Sequence, residues 1–224
     1  MALPVEVLIL FATLAIFSIV SYKKKLLNFE GVLIANIVGI TIFLLADYDL
    51  TYFFVAVLFF AVAEAGTIYS EKKKTRHETR TIGNIFGNSG TAILALAFGF
   101  QLGFFAAFAS ALADTLSSEI GMLSKRKPVL ITSFKEVPKG TDGGITALGI
   151  GAAFIGAGVI AIVHYALFGN AFHFAILVAS GVFGSIVDSF FGAVFERQGR
   201  LNNAEVNFLG SLGGTALAWL LTSM

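Results

Sequence analysis

The chain has 224 residues, 57% of them hydrophobic and 13% charged, with a mean hydropathy of +0.86. That is more apolar side chain than one water-soluble core can hide, so an ordinary soluble domain is excluded. A formal charge of +1 provides no polycation for nucleic acid, and the absence of cysteine removes disulfides, thiolate catalysis and Cys-ligated metals.

A helix needs about 20 largely apolar residues to cross roughly 30 Å of hydrocarbon. The chain divides almost completely into such stretches: Leu3–Tyr22, Phe29–Ala46, Thr51–Ser70, Gly83–Phe98, Leu102–Leu123, Gly143–Leu167, Phe172–Phe195 and Val206–Leu220. The reading is an all-α, polytopic bundle of about eight transmembrane helices, with residues 1–224 forming a single integral membrane domain. The fourth and eighth stretches are short and the Phe98–Gly103 reversal is tight, which leaves six or seven full spans open. The first stretch is expected to be a retained helix: it carries Glu6 in place of a basic leader, and no small-x-small cleavage site follows. The 24 glycines suit helices packed closely in lipid.

Charge sets the expected orientation. Lys23, Lys24 and Lys25 follow the first stretch, and Lys72, Lys73, Lys74, Arg76 and Arg80 follow the third. Lys125, Arg126, Lys127, Lys135 and Lys139 follow the fifth, and Arg197 and Arg200 the seventh, which accounts for all 15 basic residues. The positive-inside rule places these loops in the cytoplasm and both termini outside, as expected of a multi-pass cell-membrane protein. The Ser124–Asp142 connection far exceeds the usual helix–helix link of about 2–8 residues, which favours a functional loop.

The segment Asn84–Ala92 resembles Asn207–Ala216, and an acid precedes each at similar spacing, Glu64 and Asp188. The third-plus-fourth and seventh-plus-eighth helices therefore read as related hairpins. Charged side chains at bilayer depth need a partner or a wet cavity, and four acids qualify: Glu64, Asp114, Glu119 and Asp188. All fall in the cytoplasmic halves of odd-numbered helices, where they can share one layer with Asn36, Asn84, Asn88, Ser89, Thr146 and Asn207. On the fifth helix Asp114, Ser117, Ser118 and Gly121 recur at i, i+3, i+4 and i+7, while Glu119 projects elsewhere; on the seventh, Gly181, Gly184, Ser185, Asp188 and Gly192 share a face. Two carboxylates from different helices can hold a Mg²⁺ that also binds substrate phosphates. We read Asp114 and Asp188, with Glu119 assisting, as the metal-ligating and catalytic candidates. His77, His164 and His173 lie apart in the sequence and imply no shared metal site.

The run Lys135-Glu136-Val137-Pro138-Lys139-Gly140-Thr141-Asp142-Gly143-Gly144 opens the sixth stretch. Glycines at a helix start expose amides to phosphate, the helix dipole favours anions there, and two lysines add charge. The plain alternative is a helix cap, with Thr141 or Asp142 as the capping side chain. Lys135, Lys139, Gly140, Thr141, Asp142, Gly143 and Gly144 are accordingly the expected nucleotide- and phosphate-binding residues, with Ser118 beside them and Asn84, Asn88 and Ser89 on the opposite wall.

Ala113–Gly121, Pro128, Lys139–Thr146, Gly184–Gly192 and the Asn207 helix start together resemble the transmembrane protein 19 family (domain of unknown function 92), which includes the phytyl-phosphate kinase of plant tocopherol synthesis. The resemblance runs over most of the chain. It implies a multi-pass membrane enzyme that phosphorylates a prenyl monophosphate to the diphosphate, with CTP or another nucleoside triphosphate as donor. The expected partners are that lipid, the nucleotide and membrane lipids, and no oligomeric state follows from the residues. Competing readings are an ion-coupled transporter, which intramembrane acids and repeated hairpins would also serve, and a non-catalytic lipid-binding scaffold.

Overall fold

The computed structural model describes residues 4–71 and 82–223. Lys72, Lys73, Lys74, Arg76, His77 and Arg80 lie outside the described residues. Among the described residues eight α-helices follow one another: α1 Val5–Lys23, α2 Phe29–Leu45, α3 Leu50–Glu71, α4 Ile82–Ala97, α5 Gln101–Gly121, α6 Ala147–Phe168, α7 Ala171–Val194 and α8 Asn203–Thr222. A two-stranded antiparallel ribbon, β1 Val129–Leu130 with β2 Gly144–Ile145, lies between α5 and α6, and a 3₁₀ turn, Glu196–Gln198, follows α7.

Polar residues at the helix starts explain several boundaries. Asn28 accepts from the Gly31 amide at 2.7 Å and starts α2. Asn202 and Glu205 form a reciprocal capping box at α8, satisfying amides that have no partner within the helix. The sixth helix starts at Ala147 and not at Gly143, which corrects the expected boundary. Its cap is Thr146, accepting from Gly149 at 3.0 Å, in place of Thr141 or Asp142. Gly144 and Ile145 are spent on the ribbon instead.

Among the described residues, four helices are long and apolar enough to cross a membrane by length and composition: α1, α3, α6 and α7. Two more, α2 and α4, are apolar but shorter. At 1.5 Å per residue, 16 or 17 residues span only about 25 Å. The chain is thus a helical membrane protein whose polar residues are concentrated on helices shielded by others. The clearest case is α5, which packs against α3, α4, α6, α7 and α8 and is buried without a break from Leu102 to Ala113.

Lipid tails are as apolar as leucine, so helix association here relies on close packing and dispersion more than on expulsion of water. Small residues supply the approach. A Cβ on Gly156 of α6 would lie 2.6 Å from the Leu112 carbonyl oxygen of α5, so this crossing tolerates no side chain. Phe59, Phe104 and Phe108 interleave between α3 and α5, with the Phe59 and Phe108 ring centroids 4.9 Å apart. The repeated segments meet each other: Thr91 of α4 donates to the Phe208 carbonyl of α8 at 3.2 Å, and Ser211 donates to Thr91 at 2.8 Å.

Candidate active site

The C-terminal ends of α5 and α7 converge with the N-terminal ends of α6 and α8 around a polar cavity of about 220 Å³. Asp114 and Asp188 sit on its floor, with their carboxyl groups in hydrogen-bonding contact. Ser185 donates to Asp114 Oδ1 at 3.4 Å. With its amide oriented by the hydrogen-bond network, Asn207 donates to Asp188 Oδ2 at 3.1 Å. Two carboxylates this close, set among helices, require a proton or a cation between them.

The connection after α5 forms a structured lid. Leu130 donates its amide to the Lys135 carbonyl at 2.9 Å, Val137 to Pro128 at 3.0 Å and Ile131 to Gly143 at 3.0 Å, so the loop folds into a small ribbon. Gly143 adopts φ +74°, and a Cβ there would fall 2.6 Å from both the Ser189 carbonyl oxygen and the Ala193 amide nitrogen. Only glycine lets the loop backbone lie directly on α7 beside Asp188. Gly144 instead holds the loop to itself. Its amide donates to the Thr141 carbonyl at 2.9 Å, and a Cβ would meet Thr141, Pro128 and Val137 within the loop.

The sequence-derived candidates separate into groups. Asp114, Asp188, Ser118, Lys139, Gly140, Thr141, Asp142, Gly143 and Gly144 all line the polar cavity. Lys139, however, directs its ammonium to the Met122 carbonyl at 3.0 Å and to the Ser124 carbonyl, so it closes the exposed end of α5. Lys135 is exposed on the ribbon and does not line the cavity. Glu119 is not brought to the aspartate pair; it faces α3 and accepts a hydrogen bond from Ser70. Glu64, 4% exposed on α3, is likewise outside the cavity lining. Asn84, Asn88 and Ser89 line a second, apolar cavity, and Asn88 also borders a narrow crevice with Asp114 and Asp188.

Glu196 was missed by the sequence reading, although it lines the cavity and bonds to Asn203. The signal was present: Asp188, Gly192 and Glu196 continue one face at i, i+4 and i+8. With Asp114, Asp188, Asp142 and Glu196 around it, the cavity is dominated by negative charge, and its one lining lysine is engaged with carbonyls. Among the described residues, no group of three or more His, Cys, Asp or Glu side chains is arranged to hold a metal. The aspartate pair alone still fits Mg²⁺, which commonly takes one or two protein carboxylates and completes its shell with water and substrate phosphates.

The family description "Integral membrane protein DUF92" matches residues 12–215. The chain belongs to this family. The resemblance drawn from the fifth- and seventh-helix motifs is therefore borne out, and every cavity residue named above lies inside the matched region. The chain is 36% identical over 211 residues to the uncharacterized membrane protein MJ0933 of Methanocaldococcus jannaschii, covering 89% of this chain and 87% of that one. It is 29% identical over 220 residues to Protein PGR of Arabidopsis thaliana, covering 80% and 75%. A third match, Protein VTE6, chloroplastic, from the same plant, is 32% identical over 168 residues, covering 68% of this chain and 50% of its own length. No solved structure matches the chain.

Proposed function

We propose that this protein is a membrane-embedded prenyl-phosphate kinase that transfers a phosphoryl group from a nucleoside triphosphate, with CTP the first choice, to an isoprenyl monophosphate. The observation that carries the reading is the Asp114–Asp188 contact on the floor of a polar cavity, covered by a glycine-bearing loop, within a helical membrane bundle. Family membership and the motif resemblance to the plant phytyl-phosphate kinase supply the substrate class.

In the proposed reaction a phosphate oxygen of the lipid attacks the terminal phosphorus of the donor. The bond from that phosphorus to the bridging oxygen breaks, and the nucleoside diphosphate leaves with the electron pair. Charge balances without a proton, and the protein has little covalent work to do beyond positioning and charge neutralisation. Mg²⁺ on Asp114 and Asp188 would supply that neutralisation. A cavity walled by carboxylates repels a bare triphosphate, which supports a metal–nucleotide complex as the entering species. Ser118, Thr141 and the backbone of 140–144 line the donor side, while Ser185 and Asn207 orient the aspartates.

An ion-coupled transporter needs a polar route to the far side. Toward the opposite end, α5 presents Phe104, Phe105 and Phe108, and His164 packs against Phe105 at 4.9 Å and His173 at 5.3 Å between ring centroids. The buried phenylalanine layer on α5, with no carboxylate in it, favours the enzyme. Purified protein in detergent, with Mg²⁺, labelled nucleotides and a series of prenyl monophosphates, should yield the prenyl diphosphate and nucleoside diphosphate in equal amounts. Absence of metal-dependent transfer to every acceptor, together with ion-driven flux in liposomes, would replace the kinase with the transporter.

A further inference from the structure

We infer that the apolar cavity between α1, α2, α3, α4 and α5 seats the isoprenyl chain of the acceptor, and that Asn88 receives its phosphate on the way to the aspartate pair. This rests on the kinase reading and names where its second substrate lies. The cavity walls are apolar, formed by Leu14 and Phe17 of α1, Val38 of α2, Phe53 and Val57 of α3 and Phe108 of α5. Polar groups enter it at one place, Asn84, Asn88 and Ser89 on the first turns of α4. An apolar space with its polar groups at one end matches an amphiphile with one polar head.

The position of that end identifies the occupant. Asn88 borders the apolar cavity and also the crevice that contains Asp114 and Asp188, whose other side opens to the polar cavity. A head group held at Asn88 is therefore next to the acids, with the donor cavity beyond them. Asn88 is also a polar side chain with unused capacity. It is 6% exposed, yet its amide makes no hydrogen bond among the described residues. Its amide lines both the apolar cavity and the crevice, so its N–H groups can donate to a phosphate bound there. Ser89 differs, because its hydroxyl already donates to the Ile85 carbonyl at 2.7 Å. The order apolar cavity, Asn88, aspartate pair, polar cavity places acceptor and donor on opposite sides of the metal candidates, as in-line transfer requires.

Two measurements on the full chain test this. A benzophenone-tagged prenyl monophosphate should crosslink to peptides of α1, α2 or α3 that line the cavity, and prenyl monophosphate should compete it away while excess phosphatidylglycerol should not. Ala56→Trp, which fills the cavity from α3, should raise KM for geranylgeranyl monophosphate at least tenfold and for dimethylallyl monophosphate less than threefold, with nucleotide KM unchanged. Val57→Phe is a milder filler if the tryptophan variant does not fold. Asn88→Ala should raise acceptor KM for all chain lengths alike. Crosslinking in the cavity without any phosphoryl transfer would preserve the lipid seat and remove the kinase reading. Active protein that crosslinks elsewhere, or keeps the parent's chain-length profile when the cavity is filled, would overturn the inference, as would equal displacement of the probe by phosphatidylglycerol.

Discussion

Gly210 of α8 and Asp188 of α7 are packed so closely that a Cβ on Gly210 would lie 2.8 Å from the Asp188 Cβ and 3.1 Å from its Oδ2. The aspartate is therefore held toward Asp114 by a neighbouring backbone as well as by its own hydrogen bonds. Gly210→Ala must push α8 from α7 or turn the carboxyl aside. We expect at least a tenfold fall in kcat, with nucleotide affinity changed less than threefold. Parent-like turnover in this variant would show that the pair tolerates displacement.

Asp114→Asn and Asp188→Asn remove charge with little change of shape. Each should lower Mg²⁺-dependent turnover by 10³-fold or more, roughly the 4 kcal/mol expected when a group acting on transition-state charge is lost. Detergent-solubilised protein should elute as the parent does. A variant that keeps near-normal turnover takes its residue out of the site.

Glu119 gives the opposite expectation. It is tied to Ser70 on α3 and is not brought to the aspartate pair. Glu119→Gln should leave kcat within about threefold of the parent, and its effect should be on stability, on the order of 1–3 kcal/mol for a lost charged hydrogen bond. Thermal unfolding in detergent beside steady-state kinetics distinguishes the two. A loss as deep as that of Asp114→Asn would return Glu119 to the metal site.

The loop makes a graded prediction. Gly143→Ala combines an unfavourable φ with contacts to Ser189 and Ala193, so it should unseat the ribbon from α7, expose the 124–142 segment to protease and reduce turnover at least tenfold. Gly151→Ala, whose Cβ meets nothing within 4 Å, is the control and should behave as the parent. Protease resistance equal to the parent's in Gly143→Ala would mean that the loop is held elsewhere.

Orientation is tested independently of chemistry. The chain has no cysteine, so Lys127→Cys provides a single thiol on the ribbon loop. An impermeant maleimide should modify it in inverted vesicles and not in intact cells. Labelling from outside would reverse the proposed topology and put the polar cavity on the other side of the membrane.

Much of the architecture was legible in the chain because its causes are local. Stretches of apolar residues separated by basic or turn-forming groups marked eight helices, and helical spacing correctly put Asp114 with Ser117 and Ser118 and Asp188 with Gly192. Periodicity states which face a residue occupies, but not which neighbour covers that face. Since α5 is surrounded by five other helices, Asp114 and Glu119, only five residues apart, meet different partners: one faces α7 and the second aspartate, the other α3 and Ser70. The same limit applies to the glycines of the loop. Their sequence resembles an amide-rich helix start, yet a ribbon formed with β1, at the other end of the same loop, takes Gly144, and Gly143 is pressed onto α7. Composition and spacing determined a membrane bundle with acids in it. Close contacts between helices far apart in sequence decided which acids form a pair, which cavity they face and that Asn88 lies between that pair and an apolar pocket.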